Sequence, residues 1–180
     1  VDMWEHDGKV YYRVVDYKTG HTTFNYSGVY YGLGLQMLIY LFALKEFEGR
    51  LDYTQMSPSG VLYFPARCKS VSISSKDDET ALKKGRDSEE KYSGLILDDS
   101  EVIQAMAPGD AIRYLPLVVK GNSVKGYLAS TEDFELLKDH VKEQVSGLAD
   151  SIYSGKLEPN PYYLDSGHYG CAWCPYKAIC

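Results

Sequence analysis

One run constrains this chain more than any other: Tyr11-Tyr12-Arg13-Val14-Val15-Asp16-Tyr17-Lys18-Thr19-Gly20, β-formers that close on an acid and a lysine two residues apart. A strand has a side-chain period of two, so Asp16 and Lys18 are aimed at one face. A second apolar and aromatic run, Val1 to Glu5, precedes Lys9 to Asp16 across His6-Asp7-Gly8. An Asp-Gly pair between such runs marks a tight hairpin, so two antiparallel strands open the chain. From about Ser27 to Phe47 follow Leu33, Met37, Leu38, Leu41, Phe42 and Leu44. This segment is too long for a strand and apolar on most sides, which predicts one buried helix, ended by Gly49. A strand pattern returns over Gly60 to Ile73, with Pro65 arguing for an edge or a break, and the sheet therefore has at least three strands.

The remainder alternates between order and charge. Ser74 to Lys91 carries both signs of charge and almost no large apolar side chain, which predicts a mobile loop. A short helix over Ser100 to Met106 leads to Pro108-Gly109, then a hairpin-like stretch through Tyr114 to Val119 and Val124 to Leu128. The last long helix starts after Ser130-Thr131. Its apolar positions Phe134, Leu137, Val141, Val145, Leu148 and Ile152 recur every three or four residues, and Gly155 supplies a left-handed stop. Lys156 to Cys180 reads as a Pro/Tyr/Cys-rich coil, which divides the chain into a core over 1–155 and a cysteine-bearing tail over 156–180.

With 180 residues, 44% of them hydrophobic, the chain can bury one core. Its formal charge of -6 has the wrong sign for a nonspecific nucleic-acid coat, so any DNA contact is local. No apolar run approaches the roughly 20 residues of a membrane span, and no signal sequence is evident, which predicts a soluble, cytoplasmic protein without membrane contact. Val1 opens in what reads as the middle of a strand, so a longer parent is expected.

An acid and an amine on one strand face suit phosphodiester hydrolysis. A carboxylate holds Mg²⁺ or Mn²⁺, the cation polarises the phosphate and acidifies water, and the ammonium steadies the developing charge. The Tyr17 carbonyl is a further candidate ligand. The bland alternative is a strand-end salt bridge, for which such triplets are common. Gln36 and Tyr40 stand four residues apart, on one helical face, inside a segment dominated by Leu, Met, Ile and Phe. A polar amide there needs a partner. It is either a core glutamine satisfied by backbone or a group facing the metal cleft that contacts DNA phosphate, with Tyr40 supporting it.

Together these segments resemble the RecB-like group of PD-(D/E)xK nucleases: Val14 to Gly20 looks like their metal-binding strand, and Gln36-Met37-Leu38-Ile39-Tyr40 like their Q-x-x-x-Y helix. The resemblance implies an α/β fold of restriction-endonuclease type, a mixed central sheet flanked by helices, here truncated at its N-terminus. It implies catalytic roles for Asp16, Lys18, Gln36 and Tyr40, with metal at Asp16 and the Tyr17 carbonyl. In the family an earlier strand ends in the first metal-binding aspartate, and Val1-Asp2 looks like the close of that phrase. The ligand would then lie just before residue 1, Asp2 would be a neighbour of the site, and the piece alone would hold half a metal site and be inactive.

Cys171, Cys174 and Cys180 give C-x2-C-x5-C, whose first pair can chelate a metal or cluster from a single turn while the third closes the loop. Zinc and iron–sulfur both fit that spacing. Cys-Pro-Tyr and the preceding Pro159-Asn160-Pro161-Tyr162 resemble the iron–sulfur staple of AddAB-type bacterial helicase–nucleases, which implies a [4Fe–4S] cluster completed by a distant upstream cysteine. Cys68 and His168 are the local substitutes. The resemblance further implies an ATP-dependent helicase–nuclease that processes double-strand breaks for recombinational repair, with DNA and a larger A subunit as partners. The competing class is a non-catalytic DNA-binding or scaffold module with a structural zinc or iron–sulfur site. His6, His21 and His140 read as surface residues, the 17 tyrosines as packing or base-stacking platforms, and Lys83, Lys84 and Arg86 as a basic run largely cancelled by neighbouring acids.

Overall fold

The structure is a computed structural model that describes the chain except for residues 21, 51–54, 68–69, 71–77, 121–122, 166–167, 173 and 180; at 50, 119–120, 123, 164–165 and 168–169 only the backbone is described. The hairpin is present as β1 (Asp2–His6) and β2 (Lys9–Lys18), antiparallel. It turns through Asp7 and Gly8, with φ of 50° and 74°, the twisted two-residue turn that Asp-Gly favours. Asp2 faces Arg13 in the register, so β1 covers β2 only as far as Arg13 and β2 runs on past it to Lys18.

The single helix expected over Ser27 to Phe47 is instead two, α1 (Tyr26–Tyr30) and α2 (Gln36–Lys45). Gly32 and Gly34 between them take φ of 80° and 66°, a left-handed backbone that no helix can carry through. Gly49 does not end the helix; it lies inside a 3-10 turn, Glu48–Arg50. β3 (Met56–Pro65) follows, parallel to β2 and buried on both faces from Met56 to Tyr63. The strand expected over Gly60 to Ile73 thus starts earlier, at Met56, and stops at the predicted break, Pro65. Pro58 is tolerated in a central strand because the pairing slips one residue there, and Ser59 Oγ donates to the Tyr12 carbonyl at 2.9 Å across the irregularity.

Ser74 to Lys91 is not a loop throughout. Residues 74–77 lie outside the described residues, and Glu79–Glu89 form α3, whose N-cap Asp78 accepts from the Ala81 N–H at 2.9 Å. Lys, Glu, Arg, Ala and Leu give α3 its helix propensity, although it buries no residue. β4 (Ser93–Leu97), a strand not expected from the sequence, lies antiparallel to β3. Here the backbones approach so closely that a Cβ on Gly94 would stand 2.0 Å from the Val61 carbonyl. α4 (Ser100–Met106) has the expected bounds and leads into a 3-10 turn, Gly109–Tyr114. The expected hairpin is β5 (Leu117–Lys120) with β6 (Ser123–Gly126), while β7 (Leu128–Ala129) leaves it to pair parallel with β4.

The main sheet therefore has the order β1-β2-β3-β4-β7, mixed in direction. One face buries Val10, Tyr12, Val14, Val61 and Leu95 under α2 and α5 (Thr131–Tyr153). The other buries Leu62 and Ile96 against Ile103, Ala107, Leu115 and Leu117. Each large apolar side chain contributes about 1.5–3 kcal/mol when fully buried. Ser130 caps α5 in a reciprocal capping box with Asp133. Only the first half of its apolar stripe packs: Phe134 and Val141 are buried, whereas Val145, Leu148 and Ile152 are exposed. The tail is not all coil, since β8 (Tyr163–Asp165) and β9 (His168–Tyr169) pair before the cysteines. Among the described residues no helix is long and apolar enough to cross a membrane.

Candidate active site

The alternation that sends Val10, Tyr12 and Val14 into the core puts Asp16 and Lys18 on the same face of β2, at its carboxyl end, where the core gives out. Their side chains keep 32% and 35% exposure, and Lys18 Nζ stands 2.6 Å from Asp16 Oδ2. Parallel register sets Tyr63 of β3 opposite Asp16, on that same face, as it sets Val61 opposite Val14. α2 supplies the other wall. Gln36 Nε2 donates to the Tyr40 hydroxyl at 3.0 Å, one helical turn on, and both side chains are exposed. Gln36 is therefore not a core amide, and among the described residues its side chain bonds Tyr40 and not backbone.

The electrostatics tie the two walls together. The Lys18 ammonium is held above its ordinary pKa, first by its hydrogen bond to Asp16, then by the Asp16 charge and by the phenols of Tyr63 and Tyr40 acting through space; partial desolvation opposes this. Burial pushes the Tyr63 phenol up, against the pull of Lys18. Lys18 consequently stays an ammonium at neutral pH. In the sequence Tyr63 reads only as a β-former. Its place here follows from the parallel register, for which the sequence carries no local signal.

The donors fit a hard divalent cation. Mg²⁺ is commonly held by one or two carboxylates together with substrate phosphates and waters, so a single partly exposed carboxylate is a usable anchor. Lys18 C=O accepts from Ala66 N–H on the β3 side at 2.9 Å. Carbonyl alternation along a strand turns the Tyr17 C=O to the opposite edge, which β1 leaves uncovered beyond Arg13. Among the described residues no group of three or more His, Cys, Asp or Glu could by itself hold a metal ion. Asp2 lies on the other face of the sheet, where its carboxylate takes Arg13 Nε at 2.9 Å.

Cys171 and Cys174 are brought into one turn, with the Cys174 N–H donating to the Cys171 carbonyl at 3.2 Å, and both are half-buried free thiols. Two soft donors from a single turn fit a thiophilic centre. Cys180, Cys68 and the His168 side chain lie outside the described residues, as does His21. His6 stacks on Trp4 at 4.7 Å and reaches Glu101 at 3.2 Å. His140 is not the surface residue expected: it stacks on Tyr30 at 5.6 Å, with Nε2 buried and lacking a hydrogen-bond partner among the described residues. Lys83, Lys84 and Arg86 are carried on α3.

Known proteins are similar to this chain in sequence. The chain is 32% identical, over its whole length, to the B subunit of an ATP-dependent helicase/deoxyribonuclease from Thermoanaerobacter sp. (strain X514), 35% identical to that from Moorella thermoacetica and 33% to that from Clostridium perfringens. It spans 16% of the length of each of these relatives. Residues 1–180 in their entirety match the sequence profile of the PD-(D/E)XK nuclease superfamily. With a mixed sheet flanked by helices and an Asp-x-Lys strand facing a Gln-x-x-x-Tyr helix, the chain belongs to the PD-(D/E)XK nuclease superfamily.

Proposed function

We propose that this chain is the metal-dependent DNA nuclease domain of the B subunit of an ATP-dependent helicase–nuclease, which processes double-strand breaks for recombinational repair with an A-subunit partner. The observation that carries the reading is the Asp16–Lys18 pair, 2.6 Å apart, with Tyr40 near enough for its phenol to act on Lys18 through space and Gln36 bonded to that Tyr40. When bound, Mg²⁺ or Mn²⁺ polarises the phosphate and makes water acidic enough to attack near neutral pH. Asp16 would hold that ion through its carboxylate, helped by the Tyr17 carbonyl. Lys18 stabilises charge gathering on the phosphate oxygens, and Gln36, oriented by Tyr40, donates to the phosphodiester. A residue that continued β1 ahead of Val1 would lie beside Val15 and the one before it beside Asp16, which suits a further carboxylate for the same ion.

Cys171, Cys174 and Cys180 are assigned to a [4Fe–4S] cluster that pins the tail, with 1–155 as nuclease core and 156–180 as cysteine-bearing tail. The test is Mg²⁺-dependent cleavage of single-stranded DNA by the full-length protein, before and after Asp16→Ala. Loss of cutting by the variant supports the assignment. Cutting at the parent rate would reduce the Asp16–Lys18 contact to an ion pair in a non-catalytic DNA-binding scaffold.

A further inference from the structure

Where β2 and β3 leave the sheet, a cleft opens beside Lys18, at the carboxyl ends of two parallel strands, the place where open α/β sheets bind ligands. Three cations reach it: Lys18 from β2, Arg67 just beyond β3, and Lys91 just before β4. Glu89 is the one acid among its described lining residues, so the cleft runs against the chain's overall charge of -6. Lys91 is fixed in place, with Nζ donating to the Leu117 carbonyl at 2.8 Å; an ammonium has three protons, so two remain for a ligand. Thr22 and Thr23 add hydroxyls to the same wall.

The cleft also has an aromatic rim. Phe64 lines it and packs against Tyr17 at 5.0 Å, and behind Phe64 stand Tyr92 at 5.0 Å and then Tyr114 at 6.3 Å. The inner rings are half-buried and brace the outermost, whereas Tyr17 is 67% exposed. Packing explains the inner three. It does not explain an exposed ring held by that ladder next to a cationic cleft.

We propose that this cleft is a single-stranded DNA subsite flanking the scissile phosphate, in which Arg67 and Lys91 hold backbone phosphates and the Tyr17–Phe64 pair stacks an unpaired base. Cations that follow a backbone beside aromatic faces are the combination that binds single strands, because a duplex keeps its base faces covered. The proposal rests on the nuclease reading for its scissile phosphate, and Arg67, Lys91 and Tyr17 are positioning residues.

The test uses the full-length protein and a single-stranded oligonucleotide carrying 5-iododeoxyuridine. Arg67→Glu should raise KM for cleavage about tenfold with kcat within about twofold, Arg67→Lys should restore most of the KM, Tyr17→Ala should raise KM about tenfold, and irradiation should cross-link the parent at Tyr17. An Asp16→Ala protein should lose cutting yet keep the cross-link. An unchanged KM in Arg67→Glu and Tyr17→Ala, or cross-links only elsewhere, would overturn the subsite while leaving the nuclease reading intact. Unimpaired cutting by Asp16→Ala would overturn the nuclease reading while the cross-link still reported on the subsite.

Discussion

Replacing Lys18 by Met keeps a long apolar stem at the end of β2 and deletes only the charge. Two accounts of the 2.6 Å contact with Asp16 then part. If the contact is a strand-end ion pair, it joins side chains about a third exposed, and pairs of that kind contribute little to stability. The thermal midpoint should hardly move on either account. If the ammonium is instead a preorganised charge for the phosphate, its loss should lower kcat by about 10²- to 10³-fold, the usual cost of deleting one such group. The assay is the initial rate of Mg²⁺-dependent cleavage of single-stranded DNA by the full-length protein at saturating substrate, read beside the melting curve. The pH profile adds a sign. The folded pKa of Lys18 is raised above 10.5, so any stabilisation from its charge is fully present below that value and is lost only as pH rises through the folded pKa. Between about pH 7 and 9 Lys18 should contribute no titration to kcat. A Lys18→Met protein with kcat within about threefold of the parent, or a fall in activity matched by a fall in melting temperature, would refute the electrostatic role.

Two further outcomes follow from the core and from the tail. Tyr12 buries a hydroxyl that lacks a hydrogen-bond partner among the described residues, and burial holds its pKa well up, so Tyr12→Phe should leave stability unchanged or raise it by about 1–2 kcal/mol in urea titration; a loss of that size would reveal a partner for the hydroxyl. Anaerobically purified full-length protein should be brown with visible absorbance, and Cys171→Ser with Cys174→Ser should bleach it. A colourless parent with stoichiometric zinc would replace the cluster with a zinc site.

Much of the candidate site's geometry was legible because short-range rules governed it. Period two placed Asp16 and Lys18 on one face, helical spacing placed Gln36 beside Tyr40, and Asp7-Gly8 and Ser130 declared a turn and a cap through their own chemistry. Reasoning from burial failed where another term decided. α3 buries nothing, yet its straight-chain residues and the Asp78 cap make it a helix. The apolar segment from Ser27 hid its break because periodicity cannot register the left-handed backbone at Gly32 and Gly34. Tyr63, Arg67 and Lys91 meet Lys18 only through the parallel pairing of β2 with β3 and the antiparallel return of β4, and strand order is not written in local sequence. Val145, Leu148 and Ile152 show the converse: they continue the apolar recurrence of the helix, yet these three stay exposed.

The nuclease reading stands or falls with Asp16 anchoring a divalent cation beside Lys18. Crystals of the full-length protein soaked in Mn²⁺ and measured for anomalous scattering give the plainest answer. A peak is expected within coordination distance of the Asp16 carboxylate in the parent and none there in Asp16→Ala. Manganese bound elsewhere, with Asp16 still held only by Lys18, would contradict it.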